Sequence, residues 1–373
     1  MKTAIVILNW NTKDFLEKYL PGLISSTKDV EGTEVIVVDN ASTDGSVEFL
    51  KDKVPDIKTI VLDSNYGYTG GYNKGLEQIR AEYSPEYYIL MNSDIEVSAG
   101  WLEPMVNWMD THPECGACAP KIHNINQRDT FDYAGAAGGH IDIFGYPFCR
   151  GRLLDVLEKD FGQYDTLVKD VFWVSGACFM VRTELFHELG GLDERFFAHM
   201  EEIDLCWRMQ LEGQKVQVVT DSVVYHLGGG TLPASSPYKL YLNFRNNLLM
   251  LNNNLAKTLA LSRLKKGAST TSAAKYGVRE SKALIRVRMC MDDLYAAFCL
   301  LTLRFKLFNS IRNSHIDYKK NKRRTNMREV ANYLEKHMDT TVHGIYEKSI
   351  LLQRLLDGKE ILAKMHKVDF TNY

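Results

Sequence analysis

Short apolar runs recur through the first hundred residues, and each is closed by polar ones. Ala4–Leu8, Glu34–Asp39, Lys58–Leu62 and Tyr87–Met91 have the length and make-up of strands covered on both faces. Helical spacing lies between them. Leu16, Leu20 and Leu23 share one face, a second helix starts near Ser42 or Thr43 as N-cap, and Gly70–Ile79 reads as a third. Strands alternating with helices predict a mostly parallel sheet with right-handed crossovers, whose ligands sit at the carboxyl ends of the strands. Polar residues stand at each of those ends: Asn9 and Asn11, Asp39 and Asn40, Asp63 and Asn65, Asn92 and Asp94. Packing alone does not ask for them.

Residues 122–170 are rich in Gly and Tyr without periodicity, which predicts loops and short hairpins flanking a site. Val171–Val181 reads as a strand with a helix from Thr183, 197–212 as a helix, and Lys215–Thr220 as a late strand leading to His226. From about residue 238 the period is helical. Tyr241, Phe244, Leu248, Leu251 and Leu255 fall three and four apart, and the rhythm from Leu284 to Phe308 spans roughly seven turns. The small, polar stretch 265–280 is expected to be a flexible connection. The expected division is 1–235 for the α/β domain and 236–373 for a helical region.

The formal net charge of −2 hides a strong asymmetry. Residues 1–235 hold 19 Lys and Arg against 36 Asp and Glu, a balance of −17, whereas 236–373 stand at +15. A basic C-terminal part predicts an anion-seeking surface. Arg286, Arg288, Arg304 and Lys306 flank the apolar run Leu294–Leu303, which is too short to span a bilayer but suited to lie in its interface. Seven cysteines and no signal peptide are read as reduced thiols in the cytoplasm, with Cys115 and Cys118 structural. No transmembrane span and no nucleic-acid partner are expected.

Eight strings in order carry the functional reading: ILNWN (7–11), VVDNASTDGS (37–46), NYGYTGGYNKG (65–75), LMNSD (90–94), SGACFMVR (175–182), GGLDERFF (190–197), EEIDLCWR (201–208) and His226. Together the set resembles glycosyltransferase family 2, and rhamnosyltransferases within it. The resemblance implies the GT-A nucleotide-diphospho-sugar transferase fold, an α/β class with a mostly parallel sheet flanked by helices, here with a C-terminal helical extension. It implies an inverting glycosyltransferase that moves a sugar from a UDP- or dTDP-linked donor, dTDP-rhamnose among them, to an acceptor hydroxyl. The setting it suggests is bacterial surface-polysaccharide assembly, on a lipid-linked or oligosaccharide acceptor, peripheral at the inner face of the cytoplasmic membrane.

By the same resemblance Asp39 accepts the base N3–H, with Trp10 and Asn11 near the base, and Asn9, Asn65, Gly67, Asn73, Asn92 and Ser93 line the donor site. Asp94 and His226 are the implied ligands of Mg²⁺ or Mn²⁺. The first acidic residue of the family's DxD element is Asn92 here, which leaves one charged ligand. Glu202 stands where the family has its catalytic aspartate, one methylene longer, and Glu201 competes for that role. Trp173, Ser175 and Gly176 fall where acceptors bind, with Trp173 as a stacking surface or a core residue. Arg245, in LNFRNN, and Arg150 and Arg152 are candidates for the diphosphate. Tyr66, Tyr68 and Tyr72 read as packing. Two rivals are a nucleotidyltransferase, which would need a Gly/Lys/Arg-rich loop after the first strand that NWNTKDFL does not supply, and a non-catalytic carbohydrate- or nucleotide-binding protein on the same fold.

Overall fold

A computed structural model describes residues 1–132, 135–165, 170–228 and 235–365. Strands β1 (Thr3–Asn9), β2 (Thr33–Asp39), β3 (Lys58–Val61) and β4 (Tyr87–Met91) run parallel in the order β3-β2-β1-β4. Helices α1 (Lys13–Thr27), α2 (Ser46–Lys53) and α3 (Gly67–Tyr83) form the crossovers. The alternation of side chains along a strand decides which helix each residue meets. Ala4, Val6, Ile36 and Val38 share a core with Tyr72, Leu76 and Ile79 of α3, whereas Ile5, Ile7 and Val37 face Leu16, Leu20 and Leu23 of α1.

The chain continues through β5 (Ile95–Val97), α4 (Leu102–Thr111), β6 (Cys115–Asn124) and β7 (Gln127–Phe131). A second, smaller sheet follows with β8 (Gly139–Asp142), β9 (Pro147–Cys149), β10 (Arg152–Leu153) and β11 (Val156–Leu157). Then come β12 (Cys178–Arg182), α5 (Thr183–Glu188), α6 (Glu201–Leu211) and β13 (Lys215–His226). Beyond β4 the main sheet is mixed, in the order β12-β6-β13-β5: β12 is antiparallel to β4 and β6, and β5 antiparallel to β13. Only residues 178–181 of the expected strand 171–181 join the ladder, as part of β12. Trp173 is instead held by an isolated bridge to Gly139. Cys115 and Cys118 lie buried on β6.

Helices α7 (Pro237–Lys265), α8 (Thr270–Leu301), α9 (Phe305–Asn321) and α10 (Met327–Lys336) pack on the α6 side of the sheet. Trp207 of α6 donates to Thr258 Oγ1 of α7 at 2.8 Å, and Asp204 accepts from Asn253 and Asn254. Strand β14 (Ile345–Tyr346) pairs with β8, and α11 (Ile350–Asp357) and α12 (Ile361–Met365) pack against the smaller sheet.

Several local expectations change. The second helix starts at Ser46, not near Ser42, because Asp44 Oδ1 takes the Ser46 N–H at 3.0 Å while Ser42 Oγ accepts from Asn9 and Asn11. The expected connection 265–280 is helical from Thr270, with Ser269 as N-cap, because Gly277 lets α8 lie directly on α7. A Cβ at Gly277 would come within 2.2 Å of the Ala256 carbonyl oxygen. The apolar rhythm 284–308 crosses a break at Thr302–Arg304. Arg288, read as part of a basic surface, is 3% exposed; it is ion-paired with Asp292 and packed on Tyr146, since Asn247 of α7 and the turn carrying Phe144 and Tyr146 close over it. Among the described residues no helix is long and apolar enough to cross a membrane.

Candidate active site

The carboxyl ends of β1, β2 and β4 meet in one polar web. Asp39, fully buried, accepts from Asn9 Nδ2 at 2.7 Å and from the Ser42 N–H at 2.9 Å. Asn9 Oδ1 takes the Thr12 hydroxyl at 2.6 Å, and Thr12 Oγ1 lies 2.9 Å from Ser93 Oγ. This chain of bonds ties the Asp39 corner to the Asn92–Asp94 corner. Asn11, at φ 53°, accepts the Thr43 N–H, and the Trp10 ring beside it is 42% exposed. An exposed ring next to a buried carboxylate is what a flat heterocycle needs: a face to rest on and an acceptor for its edge.

Asp94 is buried at the next corner. Its Oδ1 lies 3.2 Å from His226 Nε2, and His226 Nδ1 lies 2.9 Å from Asp132 Oδ2. Burial works against protonation of His226, but hydrogen bonds to Asp132 and Asp94 win and push the imidazole up to about 10. Two buried carboxylates around one ring therefore demand a positive charge. A divalent cation would fit that demand, with Asp94 and His226 as candidate ligands and Asp132 fixing the ring from behind. Among the described residues no three His, Cys, Asp or Glu side chains converge as a complete cage. The protein thus offers two ligands, and the remaining positions would fall to a diphosphate and water.

Glu201 and Glu202 open α6 after a strained turn. Phe197, His199 and Met200 have φ of 64°, 71° and 72°, which side-chain-bearing residues adopt only under constraint. Asn246 of α7 supplies the constraint: its Nδ2 donates to the carbonyls of Phe196, Ala198 and His199 at 2.8–2.9 Å. Arg245 holds the carbonyls of Arg195 and Phe196. Burial, aided by the Glu202 charge, raises the Glu201 carboxyl well above its ordinary value. Burial also raises Glu202, to about 7, against the N–H groups of Glu202, Ile203 and Gly176 that favour its charge. Glu202 is thus the first of the pair to ionise. Tyr68 donates to the Gly176 carbonyl at 2.7 Å, and its own ionisation is suppressed by burial and by both glutamates. The next peptide, Ala177, accepts the Asn92 N–H at 2.9 Å, so this cluster adjoins the Asp94 corner.

The remaining candidates divide. Trp173 is not a stacking surface: its ring is buried in the core against Gly139, and Nε1 donates to the His140 carbonyl. Ser175 is buried and accepts the Ala177 N–H, whereas Gly176 lies beside Glu202. Asn65 accepts from Asn40 and Gly67, and a Cβ on Gly67 would strike the Phe197 ring at 2.4 Å. Both therefore shape the loop against the strained turn. Asn73 does not line the rim, because its amide bonds both the N–H and the carbonyl of Leu192. Arg245 donates to backbone carbonyls, Asn246 and Tyr241, which makes it a brace of the turn, not a diphosphate ligand. Arg150 and Arg152 donate to the carbonyls of Asp170 and Leu154. Asp132, Tyr68 and Asn246 escaped the sequence reading. Only its place in the LNFRNN string hinted at Asn246, and nothing marked Asp132.

Replacing Asn246 by Asp keeps the shape but removes both donors and sets a charge against three carbonyls. Asn246→Asp is expected to lower kcat about a hundredfold with donor KM little changed, since a small displacement of a reacting group has that effect. Steady-state kinetics at saturating donor checks this, and an unchanged kcat would show that the turn holds itself.

The sequence model of glycosyl transferase family 2 matches residues 4–190, about half of the chain. That span contains Asp39 and Asp94, while Glu202 and His226 lie beyond it. The N-acetylglucosaminyl-diphospho-decaprenol L-rhamnosyltransferase of Mycobacterium tuberculosis is 25% identical over 242 residues, 61% of this chain and 76% of that protein. A low-salt glycan biosynthesis hexosyltransferase of Haloferax volcanii, Agl10, is 26% identical over 262 residues, 69% of this chain and 77% of its own. Among solved structures, GalNAc-T7 with UDP, GalNAc and Mn²⁺ aligns with a TM-score of 0.51 and 18% identity. That alignment covers 67% of this chain but only 47% of GalNAc-T7, and the likeness is one of fold.

Proposed function

The chain belongs to glycosyl transferase family 2 and is a glycosyltransferase of the GT-A fold, and from that premise we propose that it moves a sugar with inversion from a pyrimidine nucleoside-diphosphate donor to an acceptor hydroxyl. One observation carries this reading: a half-buried glutamate raised to about 7 adjoins a buried Asp94–His226–Asp132 array. Asp39 accepts the base N3–H, with Trp10 under the ring. Asp94 and His226 would hold Mg²⁺ or Mn²⁺, which would supply positive charge against the diphosphate leaving group. Glu202 takes the acceptor proton while the acceptor oxygen bonds to the anomeric carbon and the bond to the diphosphate breaks. The Gly176 N–H orients that carboxylate, and Tyr68 holds the Gly176 peptide through its carbonyl.

Residues 1–235 form the catalytic part in this reading, and 236–373 brace it through Arg245 and Asn246. Similarity to the mycobacterial rhamnosyltransferase supports dTDP-rhamnose as donor and a lipid-diphosphate glycan as acceptor, and with that acceptor goes work at the cytoplasmic face of a membrane. Family membership sets aside the nucleotidyltransferase and non-catalytic readings.

A thermal-shift screen of UDP-, dTDP- and GDP-sugars with and without Mn²⁺ tests the donor. A dTDP- or UDP-sugar is expected to raise Tm only when Mn²⁺ is present, stabilising by about 2.7 kcal/mol at a hundred times Kd. A shift by GDP-sugars alone would remove Asp39 as a pyrimidine reader.

A further inference from the structure

The α8–α9 hairpin ends in an apolar tip that no other described residue covers. Leu294, Phe298 and Leu301 of α8, Leu303 of the turn and Phe305 of α9 are 73%, 50%, 83%, 73% and 54% exposed. Over the last two turns of α8 only Ala296 and Cys299 are buried inward. Leu303 stands at φ 59°, a conformation leucine rarely adopts, so the turn holds its side chain out against a local preference. Exposed hydrophobic residues scattered singly mean little, but five at one tip form a patch.

The charge around the tip is one-sided. From Leu294 to Ile316 the chain has no Asp or Glu, while Arg304, Lys306 and Arg312 are all exposed. A convex apolar tip with a basic collar matches a fluid anionic surface, into which leucine and phenylalanine enter while arginine and lysine meet phosphates. A protein partner would need a socket of opposite shape, and no such demand is written into a tip of this kind.

The tip also sits at the catalytic end of the helical layer. Helices α7 and α8 run antiparallel: Ala256 lies over Gly277, Asn247 over Arg288, and Phe244 against Tyr295. The start of α7 therefore lies beside the end of α8. An aromatic series links the two, with Phe298 against Tyr295, Tyr295 against Phe244, and Tyr238 at 6.5 Å from Phe197 of the strained turn before Glu201.

We propose that the α8–α9 tip, through Leu294, Phe298, Leu301, Leu303 and Phe305 with Arg304, Lys306 and Arg312, inserts shallowly into an anionic bilayer and turns the Glu202 end of the enzyme toward the lipid headgroups. The proposal deepens the reading of a lipid-linked acceptor and rests on it for its purpose, not for its chemistry. Insertion stays in the interface, because no described helix is able to cross.

Co-sedimentation of the full chain tests it, with vesicles of phosphatidylglycerol mixed into phosphatidylcholine and of phosphatidylcholine alone. The wild type is expected to pellet with the anionic vesicles and remain in the supernatant with the neutral ones. The double variant Leu301→Glu, Leu303→Glu is expected to lose at least about tenfold in vesicle affinity, since two exposed leucines no longer enter the lipid. Its hydrolysis of the nucleotide sugar in solution stays at the wild-type rate, because both side chains are exposed and neither is among the residues of the site. Equal pelleting of wild type and variant, or equal binding to neutral vesicles, overturns the proposal. So does a wild type that sediments as a dimer without lipid and becomes a monomer on this double substitution, which would assign the tip to a second copy. A wild type that binds vesicles but turns over no nucleotide sugar would instead fault the enzymatic reading.

Discussion

Glu202→Gln is expected to lower kcat for sugar transfer about a thousandfold, within the range that general-base catalysis contributes, while making the protein more heat-stable above pH 7. Glutamine keeps the shape and the hydrogen bonds of the site but takes no proton. Burial holds Glu202 at about 7 against an ordinary 4.5, so the folded state binds a proton that the unfolded chain has already released. The contribution of Glu202 to stability is therefore fully present below about 4.5 and is lost as pH rises through 7, a change of about 3 kcal/mol from this group. The variant lacks that decline. Its Tm is expected to exceed the wild type's at pH 8 and to match it near pH 5, as read by differential scanning calorimetry. In the wild type kcat/KM is expected to climb as pH rises through about 7 and then level off. Glu201→Gln is expected to keep that profile, because Glu201 is held protonated by burial and by the neighbouring charge. A Glu202→Gln enzyme with near-normal turnover, or a Glu201→Gln enzyme without any, would exchange the two roles.

Asp94→Ala is expected to reduce transfer by at least about a hundredfold and to abolish the Mn²⁺-dependent part of the thermal shift produced by the donor. The fold survives, because His226 keeps its bond to buried Asp132 and is not left as an uncompensated charge. Asp94→Asn, which preserves volume, is expected to show the same loss and thereby assigns it to the carboxylate charge, not to a cavity. A Mn²⁺-dependent shift that persists in Asp94→Ala would place the cation elsewhere.

These two substitutions strike residues that local pattern pointed to, yet much of what makes them work was invisible there. Asp94 follows an apolar strand in a string that resembles its family, and Glu202 opens an amphipathic helix. Asp132, by contrast, lies in an aperiodic stretch and reaches His226 across 94 positions of chain, a contact that no spacing rule encodes. Asn246 acts the same way, since its worth lies in three carbonyls of a turn some fifty residues earlier. Trp173 and Arg288 show the opposite error. An aromatic beside Ser-Gly-Ala suggests a sugar platform and an arginine among basic neighbours suggests a surface, but neighbouring elements close over both.

Short apolar runs alternating with helical spacing, together with polar strand ends, determined the α/β layering and the rim on which Asp39 and Asp94 stand, because both follow from the geometry of a few consecutive residues. Only the tertiary structure decided that Asp132 backs His226, that Asn246 holds the turn before Glu201, and that the apolar rhythm after Leu284 breaks into a hairpin with a bare tip. Burial, charge pairing and backbone constraint depend on which distant segments meet, and a linear pattern carries the propensity of each segment but not the identity of its neighbour.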